Sequence, residues 1–277
     1  MLRFTINNFR CMLGQKKNGV QFGGDTILES CSLIKKNMID VNINKCTDYR
    51  KGYNIVKNSL HKGRMNINLG GDHSIAVSTI QPLLEKYKDD LLVIWIDAHA
   101  DLNTYDASLT KNMHGMPVGA LTGLMEHWYT VNNNQAILQP KNIIYVGIRD
   151  LDAFERKMIE EKGIVNFPRY TSDLLTVLRE HPAKYIHISC DIDGLDPVYM
   201  PSTGTPVSNG LSMKHVKNII RTAKPRLVGF DLVEFNPLIG NKRQVRTTLN
   251  NIHKILATLQ QQPLSAKQVE KVQTQTK

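Results

Sequence analysis

Five short runs of Val, Ile and Leu recur along this chain, and each stops at polar or acidic residues. They are MNINL (65–69), LLVIWI (91–96), NIIYVGI (142–148), YIHISC (185–190) and RLVGFDLV (226–233). Their lengths and apolar character fit strands buried on both faces. Segments with helical spacing lie between them: IAVSTIQPLLEKY, DAFERKMIEEK, TSDLLTVLREH and MKHVKNIIRTA. Strand alternating with helix calls for parallel strands joined by right-handed crossovers. The predicted fold class is α/β, three layers (α/β/α) around a mostly parallel central sheet. Residues 1–260 read as one domain, and the polar stretch 261–277 as a loose helix or disordered tail. TVNNNQ (130–135) reads as a surface loop. Residues 1–60 give no assignable pattern.

The residues that end these runs carry the chemistry. NINL is followed by GGDHS, which holds Asp72 and His73; VIWI by DAHAD, with Asp97, His99 and Asp101. YVGI leads into RDLD (Asp150, Asp152), and HISC into DIDGLDP (Asp191, Asp193, Asp196). Asp231 and Glu234 lie within GFDLVEFNP. Open α/β sheets bind ligands outside the carboxyl ends of their strands, so these groups are expected to converge on one edge. Crowded carboxylates repel one another and are costly to desolvate, so such a cluster needs a cation. An Asp-rich set with one or two His suits a hard divalent metal, and Mn²⁺ fits well. Residues i and i+2 point the same way on an extended chain, which would bring Asp97, His99 and Asp101 to one site. Two such strand ends facing each other can hold two metals, one carboxylate from each bridging.

Each motif alone has a plainer reading. GGDHS reads as a helix N-cap after a glycine turn, DGLDP as a turn, His99 as a satisfied core histidine and Cys190 as a buried strand residue. Three ligand-type clusters at successive strand ends favour the metal reading over these. The four cysteines, Cys11, Cys31, Cys46 and Cys190, are widely scattered with no metal-ribbon or redox spacing, which points to buried thiols in a reducing, cytoplasmic setting. The longest apolar run has six residues, far below the roughly 20 that span a bilayer, so no membrane partner is expected. Net charge is +10, and residues 1–64 carry twelve Lys or Arg against four acids. That region lacks aromatic interleaving and any nucleic-acid motif, so it reads as a solvated basic face and not as a nucleic-acid surface.

LGGDHS (69–74), DAHADLNT (97–104), HGMP (114–117) and SCDIDGLDPVYMPSTGTPVSNGL (189–211) resemble the ureohydrolases, most closely the arginase branch. The resemblance covers roughly residues 64–257 and implies an arginase-like fold. It implies two Mn²⁺ ions, one held by His73, Asp97, Asp101 and Asp191, the other by Asp97, His99, Asp191 and Asp193. A hydroxide between them is the implied nucleophile, attacking a guanidinium carbon. His114 matches the family's proton-shuttle histidine, a role that suits imidazole because its pKa lies near working pH. Its plainer reading is a loop histidine. Asp101 joins His114 and Glu234 in the implied catalytic set. Glu234 matches the acid facing the guanidinium, and Thr205 a substrate-facing threonine.

The resemblance also bears on the substrate. Asn103, Ser108, Thr110 and Asn112 lie in the loop with which arginase-like members read an α-carboxylate. Asp150, Asp152 and Glu155 are assigned to the substrate side, Asp152 and Glu155 matching acids that meet the α-ammonium. This favours L-arginine, cleaved to L-ornithine and urea; the alternatives are agmatine or another guanidino compound, or a non-catalytic scaffold. Thr110 stands where the family usually has serine and Lys111 where it commonly has glycine. That lysine is expected either to perturb the loop backbone or to add positive charge near a carboxylate. A homo-oligomer, trimer or hexamer, is implied by the resemblance alone.

Overall fold

The computed structural model describes residues 4–31, 38–62, 64–125 and 136–260. Eight strands form one sheet: β1 (Phe4–Cys11), β2 (Met38–Ile43), β3 (Met65–Leu69), β4 (Leu91–Ile96), β5 (Ile143–Val146), β6 (Val165–Phe167), β7 (Tyr185–Asp191) and β8 (Leu227–Val233). Their spatial order is β2-β1-β3-β8-β7-β4-β5-β6, and every pairing is parallel. All five expected strands are present, and β3 and β4 coincide with MNINL and LLVIWI. β1, β2 and β6 were not expected. The surface loop 130–135 and the tail 261–277 lie outside the described residues.

The helices are α1 (Gly23–Ser30), α2 (Tyr49–His61), α3 (Ala76–Tyr87), α4 (Pro117–Leu121), α5 (Ala153–Lys162), α6 (Ser172–Glu180), α7 (Met213–Ala223) and α8 (Lys242–Gln260). Local signals set their ends. Asp152 and Glu155 close a capping box on α5, and Gly163 ends that helix at φ 62°. Ser212 and His215 close another on α7.

β4 shows how the sheet divides its side chains. Leu92, Ile94 and Ile96 join the apolar core shared with α1, α6, α7 and α8. Leu91, Val93 and Trp95 join the core on the other face, with α2, α3, α4 and the inner side of α5. Three layers result, as expected from a strand buried on both faces. β3 and β4 send the chain to the α2–α5 face, whereas β7 and β8 send it to the other. Crevices therefore open at the carboxyl ends of the four central strands, between β3 and β8 and between β7 and β4.

Candidate metal centre

At the end of β3 the chain turns through Gly70 and Gly71, with φ of 81° and 76°. At Gly70 a Cβ would come within 2.4 Å of the Gly24 nitrogen, so glycine is required twice over. The turn delivers Asp72 and His73. Asp72 does cap the next turn, accepting from the Ser74 amide at 3.0 Å, and its other oxygen accepts from the Gly14 amide at 2.9 Å. The N-cap reading of GGDHS is thus correct for Asp72, while His73 points elsewhere. Its ring stacks on Trp95 at 4.1 Å and 12°. Its Nδ1 lies 2.9 Å from Asp97 Oδ2, 3.0 Å from Asp101 Oδ2 and 3.5 Å from Asp191 Oδ2. That buried nitrogen has no aligned hydrogen-bond partner.

Asp97 faces two ways. Its Oδ1 lies 3.4 Å from His99 Nδ1, which is also 3.2 Å from Asp193 Oδ2. Two donor groups follow, His73 with Asp97 and Asp191, and Asp97 with His99 and Asp193. The backbone holds these carboxylates in place. The His99 amide donates to Asp97 at 2.8 Å, the Ala98 amide to Asp193 at 3.1 Å, and the Asp193 amide to Asp191 at 2.8 Å. Trp95 Nε1 donates to Asp97 Oδ2 at 3.1 Å. Asp97, His99 and Asp101 converge, yet not by strand alternation. β4 ends at Ile96, residues 97–99 form a bend, and Asp101 sits at φ 49°. Glu234 is also left-handed, at φ 67°. Such strain in residues other than glycine is held in place by surrounding contacts and clusters at functional sites.

The electrostatics call for positive charge. Burial, then Asp193 and Asp97, push the Asp191 carboxyl well above its ordinary range. Burial and Asp97 raise Asp101 to about 6. Burial works against a charged His99, but Asp193 and Asp97 outweigh it and drive the ring to about 12. Protons thus gather where carboxylates are crowded. An oxygen-rich donor set with an unpartnered ring nitrogen aimed into it fits a hard divalent cation.

Beside this cluster, His114 Nδ1 lies 3.0 Å from Glu234 Oε1. Burial disfavours the charged imidazole, yet Glu234 raises it to about 9. The same Oε1 accepts from the His73 amide at 2.9 Å, and Oε2 accepts from Gln15 Nε2 at 2.5 Å. Thr205 Oγ1 donates to Asp193 Oδ2 at 2.9 Å, so this threonine borders the metal-ligand set.

The loop from Asn103 to Asn112 forms one wall. Asn103 Nδ2 donates to Asp152 Oδ2 at 2.5 Å, tying the loop to the start of α5. Ser108 Oγ receives the Lys111 amide at 3.2 Å and lies 3.4 Å from Thr110 Oγ1, which accepts from the Asn112 amide at 3.2 Å. Glu155 is buried, accepts from the Leu102 amide at 3.2 Å, and is raised to about 8 by burial, Asp101 and Asp152. Asp150 lies apart from this wall, 3.6 Å from His99 Nε2. Lys111 adopts φ 58°, the conformation its usual glycine would supply. Its Nζ donates to the carbonyls of Tyr105 at 2.5 Å and Asp106 at 3.2 Å and lies 5.1 Å from the Tyr105 ring. The left-handed backbone is kept, and the added charge is turned onto the loop's own carbonyls.

Sequence reading missed several supports. Gln15 and Gly14 come from the unassigned first 60 residues. Arg149 donates to the carbonyls of Gly147, Asp193, Gly194, Val207 and Ser208, fastening three loops beneath the site. Arg149 stands beside Asp150 in RDLD, and the sequence gives no signal that separates it from a surface arginine.

A family profile described as Arginase family matches residues 6–259. An arginase of Schizosaccharomyces pombe is 36% identical over 227 residues, which is 76% of this chain and 68% of that protein. An arginase of Saccharomyces cerevisiae is 39% identical over 208 residues, 67% of this chain and 61% of that protein. The matched region thus spans about two thirds or less of these yeast relatives. The solved structure of Entamoeba histolytica arginase in complex with L-ornithine superposes with a TM-score of 0.81 at 26% identity, covering 92% of this chain and 99% of that one.

Proposed function

The chain belongs to the arginase family, and from that premise we propose that it hydrolyses L-arginine to L-ornithine and urea at a binuclear manganese centre. The observation that carries this reading is the pair of donor groups sharing Asp97, buried except for the part-exposed His99. One ion would take His73, Asp97, Asp101 and Asp191; the other would take Asp97, His99, Asp191 and Asp193. Asp97 and Asp191 would be shared. When bound, divalent metals supply a water that is ionised near neutral pH, the nucleophile this reaction needs.

The remaining work falls to the chain's own side chains. A carboxylate offers about four lone-pair sites. Glu234 has three taken by His114, the His73 amide and Gln15, which leaves one for a guanidinium N–H. Attack at the guanidinium carbon breaks a C–N bond, and the departing amine needs a proton. Asp101, whose Oδ2 lies 3.0 Å from His73 Nδ1 within the ligand cluster, is the group proposed to take up the proton released on attack and pass it to the departing amine. His114, partly open to solvent with 18% of its side chain exposed, resupplies the proton from outside. Asn103, Ser108, Thr110 and Asn112 are proposed to read the α-carboxylate. Asp152 and Glu155 are proposed to meet the α-ammonium, and Asp150, beside His99 and apart from them, is proposed to face the substrate. Thr205, bonded to Asp193, closes the substrate pocket next to the metal ligands.

We take residues 1–260 as one catalytic domain, supported by the single sheet that runs through them, and 261–277 as a tail outside it. Family resemblance supports a homo-oligomeric, cytoplasmic enzyme. Among the described residues no helix is long and apolar enough to cross a membrane. The test is to strip the protein with a chelator and titrate Mn²⁺ back. Urea release should be absent at first and complete near two ions per chain. Full activity in metal-free protein would overturn the proposal.

A further inference from the structure

Beneath the metal centre runs a row of polar side chains that the chemistry above does not use. Register places Asn7 beside Asn68, Asn68 beside Asp231, Asp231 beside Ser189, and Ser189 beside Trp95. All five are buried within the sheet. Asp231 is the hub. Its Oδ1 accepts from Asn68 Nδ2 at 2.6 Å. Its Oδ2 accepts from Thr79 Oγ1 at 2.6 Å and Ser189 Oγ at 3.4 Å, and lies 3.0 Å from His187 Nε2. Gly229 makes room for that imidazole, since a Cβ there would stand 2.4 Å from His187 Nδ1. Ser189 Oγ in turn lies 2.9 Å from His73 Nε2.

An ionised carboxylate can only accept hydrogen bonds. Asp231 is held below the usual carboxylate range even though burial opposes it, because His187, Thr79 and Asn68 outweigh that cost. Ser189 has one proton. If it goes to Asp231, the Ser189 oxygen is left to accept, and His73 Nε2 must be the donor. His73 Nδ1 is then the bare nitrogen, and it is the one facing Asp97, Asp101 and Asp191. Metal-bound histidines are commonly fixed in this way by a partner on the second nitrogen.

We propose that Asp231 is a positioning residue for the metal centre: through Ser189 it fixes which nitrogen of His73 carries the proton and which meets the cation. This rests on the metal-centre reading given above. The neighbouring bonds make the direction specific. Asn68 Oδ1 accepts from Asn7 Nδ2 at 2.7 Å, so Asn68 presents its NH₂ to Asp231. In Asp231→Asn the new amide nitrogen cannot face that donor and must take the Ser189 side. Ser189 would then accept there and donate to His73 Nε2, placing the imidazole proton on Nδ1, where it blocks a cation.

The experiment measures Mn²⁺ affinity by competition with a chelator, for wild type, Asp231→Asn, Ser189→Ala and the double variant. Asp231→Asn is expected to weaken binding about 10- to 100-fold, the range for partners of metal ligands. If Asp231 acts through Ser189, the double variant should lose no more than the weaker single variant. Wild-type affinity in Asp231→Asn, or losses that multiply in the double variant, would overturn the proposal while leaving the metal centre standing. A wild-type chain that binds no Mn²⁺ would overturn both. Should Asp231→Asn fail to fold, Ser189→Ala decides: Mn²⁺ binding about 10- to 100-fold weaker is expected, and wild-type affinity would overturn the proposal.

Discussion

His114 and Glu234 form the ion pair on which both proton delivery and guanidinium binding are proposed to depend. Their 3.0 Å contact raises His114 from its ordinary 6.5 to about 9 and lowers Glu234. A raised histidine stabilises the fold fully below its unfolded pKa of about 6.5, and that contribution is lost as pH rises through about 9. The lowered Glu234 contributes above its ordinary 4.5 and loses that contribution as pH falls below it. In metal-free protein, the stability difference between wild type and Glu234→Gln should therefore be largest between about pH 5 and 6.5. It should shrink towards pH 9, as read by denaturant unfolding. For turnover, His114→Asn should lower kcat by roughly 10²- to 10⁴-fold, the range for a general acid or base, with KM changed only a few-fold in steady-state kinetics. The identities of these two residues were legible in HGMP and GFDLVEFNP because the motifs fix residue type. Their pairing was not, since His114 and Glu234 lie 120 residues apart.

At the scale of elements, the five strands with dense Val, Ile and Leu were read correctly, and the three that failed did so for identifiable reasons: in β1 (FTINNFRC) Asn7, Asn8 and Arg10 break the apolar run. β6 has three residues, and β2 exposes four of its six. Both stand at the ends of the sheet, where a single neighbour leaves weak burial and so a weak pattern. The polar row under the metal centre does leave a signal in the sequence. Asn66 and Asn68 alternate with Met65, Ile67 and Leu69, and His187 and Ser189 alternate with Ile186 and Ile188. Alternation ordinarily marks one solvated face, whereas here that face is buried under helices and bonded largely within itself, Asn66 Nδ2 and His187 Nδ1 excepted. The substrate loop is the other element with a consequence. Asn103→Ala and Asn112→Ala should each raise KM for L-arginine about 10-fold, the worth of one charge-assisted hydrogen bond of about 1.5 kcal/mol. Asn112→Ala should leave agmatine kinetics unchanged, because agmatine lacks the carboxylate, whereas Asn103→Ala also frees Asp152 and should weaken agmatine too. For Lys111→Gly, relief of the left-handed backbone, about 1 kcal/mol, offsets the lost carbonyl and Tyr105 contacts. Its unfolding free energy should stay within about 1 kcal/mol of wild type.

For the whole molecule, the central consequence is that folding gathers four aspartates and two histidines at the carboxyl edge of β3, β7 and β4. Repulsion there is built into the metal-free chain, as the raised Asp191, Asp193 and Asp101 record. Cation binding relieves it and adds stability by mass action, about 2.7 kcal/mol per site at a hundredfold excess over Kd. Thermal unfolding should then shift upward by roughly 5–10 °C per occupied site for a chain of this size, and further addition of Mn²⁺ should keep raising the midpoint. A midpoint insensitive to Mn²⁺ would contradict a metal centre that belongs to the folded state. The convergence on one edge was readable from strand ends alone, as was the parallel sheet that causes it. The route was not, because residues 97–101 reach the site by a bend and a left-handed Asp101.

Urea release by the Mn²⁺-loaded protein, with L-arginine and agmatine as parallel substrates, tests the account most directly. The account predicts a kcat/KM for L-arginine well above that for agmatine, with L-ornithine formed in step with urea. Urea from agmatine in preference, or from neither substrate, would contradict it.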